Sequence, residues 1–185
     1  MARLERLDWL KHGMKQLAIQ GPEKLTIQAL CVSLGVTKGS FYHHFKNQQS
    51  YVEALLTYWE DTLTRDIIET SNSKATLLER IEELTDLTTS KIAIQLEVAI
   101  RAWALVNPVV KNFQQRVDEQ RLAYLIKLTR QIPGGKAEAR LLAQALFAIY
   151  VGAQQIIPPI EQTELKAIYN YIKKLAVIPR LNESS

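Results

Sequence analysis

Residues Gly35 to Phe45, GVTKGSFYHHF, gather a lysine, two hydroxyls, a tyrosine and two adjacent histidines into eleven positions, with glycines at 35 and 39. A cation, hydroxyls, a phenol and an imidazole are groups that hydrogen-bond phosphate oxygens and base edges. A glycine lets a nucleic-acid backbone come close. Phe41 and Phe45 stand at i and i+4, one above the other on a helix. With both pointing inward, Lys38, Gly39, Ser40, Tyr42 and His43 turn outward together. Glycine inside a helix costs roughly 1 kcal/mol relative to alanine, so Gly39 calls for a reason.

Bond-making chemistry finds no matching parts. There is no Gly-rich phosphate loop and no cysteine–histidine or serine–histidine set, so the chain is not expected to be an enzyme or to carry a cofactor. His43 and His44 point about 100° apart as helix neighbours and lack an acidic or cysteine ligand nearby, so no metal site is expected. His44 is expected to pack partly inward or against the fourth helix. Cys31, the single cysteine, sits on an apolar face where a small core residue belongs, and it excludes an internal disulfide.

The elements that must position the outward set follow from periodicity and punctuation. The pattern predicts an all-α chain of about nine helices, with no sustained strand alternation. Leu7, Leu10, Met14 and Leu17 line a first helix ending near Gly21-Pro22. Ile27, Leu30, Cys31 and Leu34 line a second, with Thr26 as its N-cap and Gly35 as its left-handed stop. Thr37 caps a third, which runs to about Phe45, and Asn47 opens a fourth carrying Val52, Leu55, Leu56, Trp59 and Leu63. After the polar break ETSNSKAT come a fifth with Leu77, Ile81, Leu84 and Thr88, and a sixth with Ile92, Leu96, Ala99, Ile100 and Trp103 that Pro108 ends. Phe113, Val117, Tyr124 and Leu128 mark a seventh, stopping before Pro133–Gly135. An eighth spans about 136–157 and a ninth about 161–176.

Charge is distributed unevenly. The chain of 185 residues has a formal net charge of +4, and residues 1–50 hold seven Lys/Arg against three Asp/Glu while the remainder is balanced at sixteen each. An end with all the excess fits a polyanion-binding surface, and on charge alone a solvated basic helix fits as well. The most apolar run, Leu141 to Ala153, is thirteen residues and includes Gln144, short of the ~20 a membrane span needs. MARLERLDWLKHG has no apolar signal core, so a cytoplasmic protein is expected.

Residues 26–45 have the layout of a helix-turn-helix, and TIQALCVSLGVTKGSFYHHFKN resembles the DNA-binding signature of the TetR family of bacterial transcriptional regulators. The resemblance implies an all-helical homodimer, usually a repressor, that binds a palindromic operator in double-stranded DNA and is released by a small molecule. It implies a reading domain over 1–47 and an effector-binding and dimerisation domain over 48–185. Carried over by position, Thr26 and Lys46 would grip phosphates, while Thr37, Lys38, Gly39, Ser40, Tyr42 and His43 would lie at the groove-facing helix. Cys31 departs from the alanine usual there.

Two further surfaces are expected. Ala139, Ala143, Ala145, Ala148, Gly152 and Ala153 would let a partner helix approach the eighth helix, with Leu142, Leu146 and Ile149 supplying apolar area, though an internal core helix would look the same. Trp103, Phe113, Tyr124, Phe147 and Tyr150, with Glu97, Arg101 and Gln154 as polar handles, would line a cavity for a small apolar or aromatic effector. Each of them also fits core or surface. A helical adaptor without DNA binding is the alternative that amphipathic helices leave open.

Overall fold

The computed structural model describes residues 4–88, 91–132 and 136–181, and among them every regular element is helical. The elements are α1 (Arg6–Gln20), a short 3-10 turn (Pro22–Leu25), α2 (Ile27–Leu34), α3 (Lys38–His44) and α4. This last begins as Gln48–Glu60 and continues through a π-helical Asp61–Arg65 into Asp66–Asn72. Then follow α5 (Leu77–Thr88), α6 (Lys91–Ala104), α7 (Pro108–Thr129), α8 (Lys136–Gln155) and α9 (Gln162–Leu181). The break expected at Pro133–Gly135 and the first three residues of the amino-terminal stretch lie outside the described residues. No described helix is long and apolar enough to cross a membrane.

The chain packs as two compact units. Unit 1 comprises Met1–Asp66 and Lys91–Val117, and unit 2 comprises Ile67–Ser90 and Asp118–Ser185. The packing boundary thus differs from the functional one expected at residue 47, because α6 and the first half of α7 share a body with α1 to α3.

Unit 1 is built around aromatic rings. Trp9, Phe41, Tyr51 and Trp59 are fully buried, with Leu17, Leu25, Leu30, Leu55, Leu56 and Ile100 around them. Trp9 meets Phe41 edge-on at 5.5 Å between centroids, and Phe45 meets Tyr51 edge-on at 4.9 Å. Such pairs contribute about 0.5–1.5 kcal/mol each beyond their buried area. The inner face of α1 is therefore Trp9, Leu10, Gly13 and Leu17, and Leu7, expected inside, is exposed. A tryptophan two positions along offers far more area to the same core than a leucine.

Several boundaries also differ from expectation. Pro108 does not end α6, which stops at Ala104; it is the first residue of α7, where a proline costs nothing because that N–H has no helical partner. Asn107 caps this helix, its Oδ1 accepting from the N–H groups of Val109 at 3.0 Å and Val110 at 3.2 Å. The polar break begins later than ETSNSKAT suggests, since Ser71 is buried and its hydroxyl donates to the Arg80 carbonyl at 2.8 Å. That bond keeps Glu69–Asn72 helical. α8 ends at Gln155, short of the expected 157, and α9 runs to Leu181, beyond 176.

Gly13 is required by packing. A Cβ there would stand 1.8 Å from the Tyr51 hydroxyl and 3.0 Å from its ring, and that hydroxyl donates to the Trp9 carbonyl at 3.0 Å. Burial pushes the Tyr51 pKa above the usual tyrosine range, so the group remains a donor. Gly13→Ala should destabilise the protein by about 1–3 kcal/mol in denaturant unfolding, the usual cost of forced overpacking. Tyr51→Phe should cost only about 1 kcal/mol, the worth of one hydrogen bond. In the double variant the two costs should add to less than their sum, since the phenylalanine removes the atom that clashes.

Candidate nucleic-acid interface

The helix-turn-helix takes its geometry from a few local devices. Thr26 caps α2, its Oγ1 accepting from the Ala29 N–H at 3.2 Å. Gly35 ends α2 with φ 66° and ψ 34°, left-handed values that other residues adopt at a cost, and its N–H reaches back to Val32. Thr37 occupies the N-cap position of α3, yet its side chain makes no capping bond. Phe41 and Phe45 face inward, as their spacing predicts, and hold α3 against α1 and α4.

What remains outside is a coherent face. Thr37, Lys38, Gly39, Tyr42, His43 and Lys46 are exposed, with Tyr42 at 55%. Ser40 is half-buried, so its hydroxyl is less available than the sequence suggests. His44 turns partly inward and its Nε2 donates to the Leu4 carbonyl at 2.9 Å, which ties the chain start to the end of α3. Thr26 is exposed, but its hydroxyl already serves as the cap, so any phosphate contact must use its remaining capacity. Gly39 carries the most specific information. A Cβ there would meet only Thr37 Oγ1, at an ordinary 3.5 Å, so nothing within the protein requires glycine at this exposed helical position.

Behind this face, unit 1 contains buried charge that the sequence reading missed. Glu60 is fully buried where α4 becomes π-helical; Arg116 of α7 grips both its carboxylate oxygens, and Arg65 adds a bond at 3.2 Å. The hydrogen bonds and charge of Glu60 raise the Arg116 pKa, so the guanidinium stays charged, and it also lies 4.3 Å above the Phe113 ring. A partnership across 56 residues leaves no local pattern to read. Among the expected effector residues of unit 1, Glu97 is buried and accepts from the Trp59 indole N–H at 3.0 Å. Arg101, Trp103 and Phe113 are half-buried.

The remaining expected residues belong to unit 2. Tyr124 is buried with its hydroxyl committed to Ser71 Oγ at 2.8 Å, which gives it a structural task. Phe147 and Tyr150 are half-buried and stacked at 6.3 Å, and Gln154 is buried. On α8, Ala139, Ala143 and Ala153 are buried by the chain's own packing, and Leu142, Leu146, Ile149 and Gly152 are half-buried. The outward stripe is Leu141, Ala145 and Ala148, continued by Gly152, whose Cβ position is open space. Among the described residues no group of three or more His, Cys, Asp or Glu could hold a metal ion.

A short helix presenting a cation, a phenol, an imidazole and a bare glycine, mounted by a glycine turn on a capped helix, has the layout of a DNA-binding helix-turn-helix. Residues 10–55 match the model of the family described as bacterial regulatory proteins, tetR family. The fold is similar to that of a transcriptional regulator from Saccharomonospora viridis solved with choline, at 15% identity and a TM-score of 0.76, covering 91% of this chain and 95% of that one. A TetR regulator from Legionella pneumophila shares 13% identity with a TM-score of 0.75, covering 92% and 95%. The ketosteroid regulator KstR2 of Mycobacterium tuberculosis shares 15% with a TM-score of 0.59, covering 95% and 94%. No curated protein sequence matches the chain. Residues 10–55 thus match the DNA-binding segment of the tetR family, and the chain around them shares the fold of these regulators.

The reading head should also respond to acid. His12 of α1 meets Ser33 Oγ of α2 at 2.7 Å, and burial, then the nearby Lys15, lower its pKa below the usual 6.5. Its depressed folded value means the unfolded chain takes up the proton first as pH falls. Stability is therefore unaffected well above pH 6.5 and declines as pH drops through that value. Melting temperature measured from pH 8 to 5.5 should fall less in His12→Gln than in the unaltered protein.

Proposed function

We propose that the protein is a repressor that grips a palindromic operator as a homodimer and lets go when a small molecule binds. The observation that carries the DNA half is Gly39: an exposed helical glycine with no intramolecular neighbour to explain it suits a helix that must lie against a DNA backbone. In this reading Lys38, Tyr42 and His43 address the groove, Thr37 and Ser40 lend hydroxyls, and Thr26 and Lys46 hold phosphates. The reading domain is residues 1–47, and residues 48–185 serve the effector and the partner subunit.

Two heads must sit about 34–36 Å apart to enter successive major grooves, which makes dimerisation part of the function. The face best suited to it is Leu141, Ala145, Ala148 and Gly152 of α8 with Tyr171 and Leu175 of α9, because these apolar or small positions are exposed or half-buried in the chain alone. Ala139, Ala143 and Ala153 support that face from beneath. An effector reading is supported by the neighbours' own ligands: one was solved with choline, and another is named for ketosteroids. Within unit 1, α6 packs directly on α1, so a displacement of α6 reaches the reading head without an intermediary.

Gly39→Ala should melt at a slightly higher temperature, by the roughly 1 kcal/mol of helix propensity, and yet bind operator more weakly in an electrophoretic mobility assay. Opposite signs in the two measurements exclude a folding defect. If affinity is unchanged, the glycine is not a contact site. Binding by the unaltered protein should also weaken steeply with salt, with a slope of about −0.9 per phosphate contacted.

Light scattering at micromolar concentration should give a mass near twice 21.1 kDa. Leu141→Glu, at a residue 65% exposed in the isolated chain, should halve that mass without unfolding the protein and should abolish operator binding. A monomeric parent protein would overturn the dimer.

A further inference from the structure

One polar side chain of α8 is left unexplained by its own surroundings. Gln154 is 5% exposed, and its Nε2 is buried without a hydrogen-bond partner. Such donors are rare in folded proteins, because leaving one unmade forfeits its hydration with nothing in exchange. Leucine or methionine would fill a similar volume without that cost. An amide in this place calls for an acceptor that the ligand-free chain does not supply.

The residues that share its face say what kind of molecule brings the acceptor. Ala143, Phe147, Tyr150 and Gln154 stand at i, i+4, i+7 and i+11, so they follow one side of the helix. Ala143 is small and fully buried, while the half-buried Phe147 and Tyr150 rings lie stacked, 23° from parallel. None of the four carries a charge. The stripe itself offers an ion no counter-charge, whereas a flat apolar ring would find aromatic surface and an oxygen lone pair would find the amide N–H.

We propose that this face of α8 is an effector site, and that the effector is an uncharged ring compound presenting a carbonyl oxygen to Gln154 Nε2. The inference rests on the reading of the chain as an effector-released repressor and narrows it to a ligand class. Its physical content is selectivity. A site that holds an unpaired donor rejects the hydrocarbon analogue of its ligand, since that analogue leaves the donor unpaired while filling the same space. Release requires in addition that this bond form more favourably in the conformation that does not match the operator.

The test uses the full chain and two probes of matched shape, 2-acetylnaphthalene and 2-isopropylnaphthalene, titrated by calorimetry into the parent protein, Gln154→Leu and Gln154→Met. The ketone should bind the parent about tenfold tighter than the hydrocarbon. Both variants should bind the two probes within about twofold of each other, and neither should melt below the parent when ligand-free. Equal affinity of the probes for the parent, no binding of either up to its solubility, or a preference that survives in both variants would overturn the site. So would a lower melting temperature in both variants, which would mean the amide is already satisfied. Operator binding, followed in the same samples, separates the two claims. A Gln154-dependent preference with unchanged operator affinity supports the site and defeats effector release, whereas release that is equal in parent and variants defeats the site and keeps effector release.

Discussion

The Tyr51 hydroxyl rests on the Trp9 carbonyl in the space that Gly13 leaves open, and the reading head is built outward from that contact. It sets how closely α4 approaches α1. The Trp9 and Tyr51 rings then form two walls of a cluster into which Phe41 of α3 and its C-cap Phe45 insert, and the Arg6 guanidinium closes it 5.3 Å above Phe45. A seven-residue helix such as α3 is too short to be stable alone in water. Its existence and its orientation are therefore properties of the cluster. Any change that parts α1 from α4 moves the rings, and the rings carry Lys38, Gly39, Tyr42 and His43 with them.

A second constraint acts farther along α4. The fully buried Glu60 is costly to desolvate, and removing one partner of such a pair is far more damaging than replacing the whole pair by apolar residues. Arg116 and Arg65 hold it where the helix widens into the π-helical Asp61–Arg65. Widened turns of this kind are uncommon and occur often at functional sites. Here the widened turn follows directly on Glu60, the residue that ties α4 to α7, so the helix that anchors the reading head near its start is fixed again twelve residues after it begins at Gln48.

How much of this could be read in advance depended on distance along the chain. Thr26, Gly35, Phe41 and Phe45 were legible because a cap, a left-handed stop and an i, i+4 pair are each decided within a few residues. Gly13 was not, because its reason is Tyr51, far away in sequence and adjacent only after folding. Leu7 was misplaced on α1 since periodicity alone cannot weigh a leucine stripe against a tryptophan two positions on. On α8 small residues occur on every side, so composition indicated close approach without saying by what; the structure turns Ala139, Ala143 and Ala153 inward and leaves Leu141, Ala145 and Ala148 outside. Gln154 could be noticed as a polar handle, but only burial shows that its donor lacks a partner.

The division of the chain into units bears on how a signal would travel. If the reading helices formed a body by themselves, an effector would have to act on them through α4 alone. Instead α6 and the first half of α7 belong to the same compact unit as α1, α2 and α3, with α6 packed on α1 and Glu97 of α6 bonded to Trp59 of α4. Close-packed interiors do not deform gradually, so α6 cannot shift without either carrying α1 along or breaking that packing. The first outcome moves the head as a rigid body and preserves the aromatic cluster, and no buried contact within unit 1 is lost. Under the proposed function, release would leave the recognition helix intact and cost only the match between two heads and the grooves.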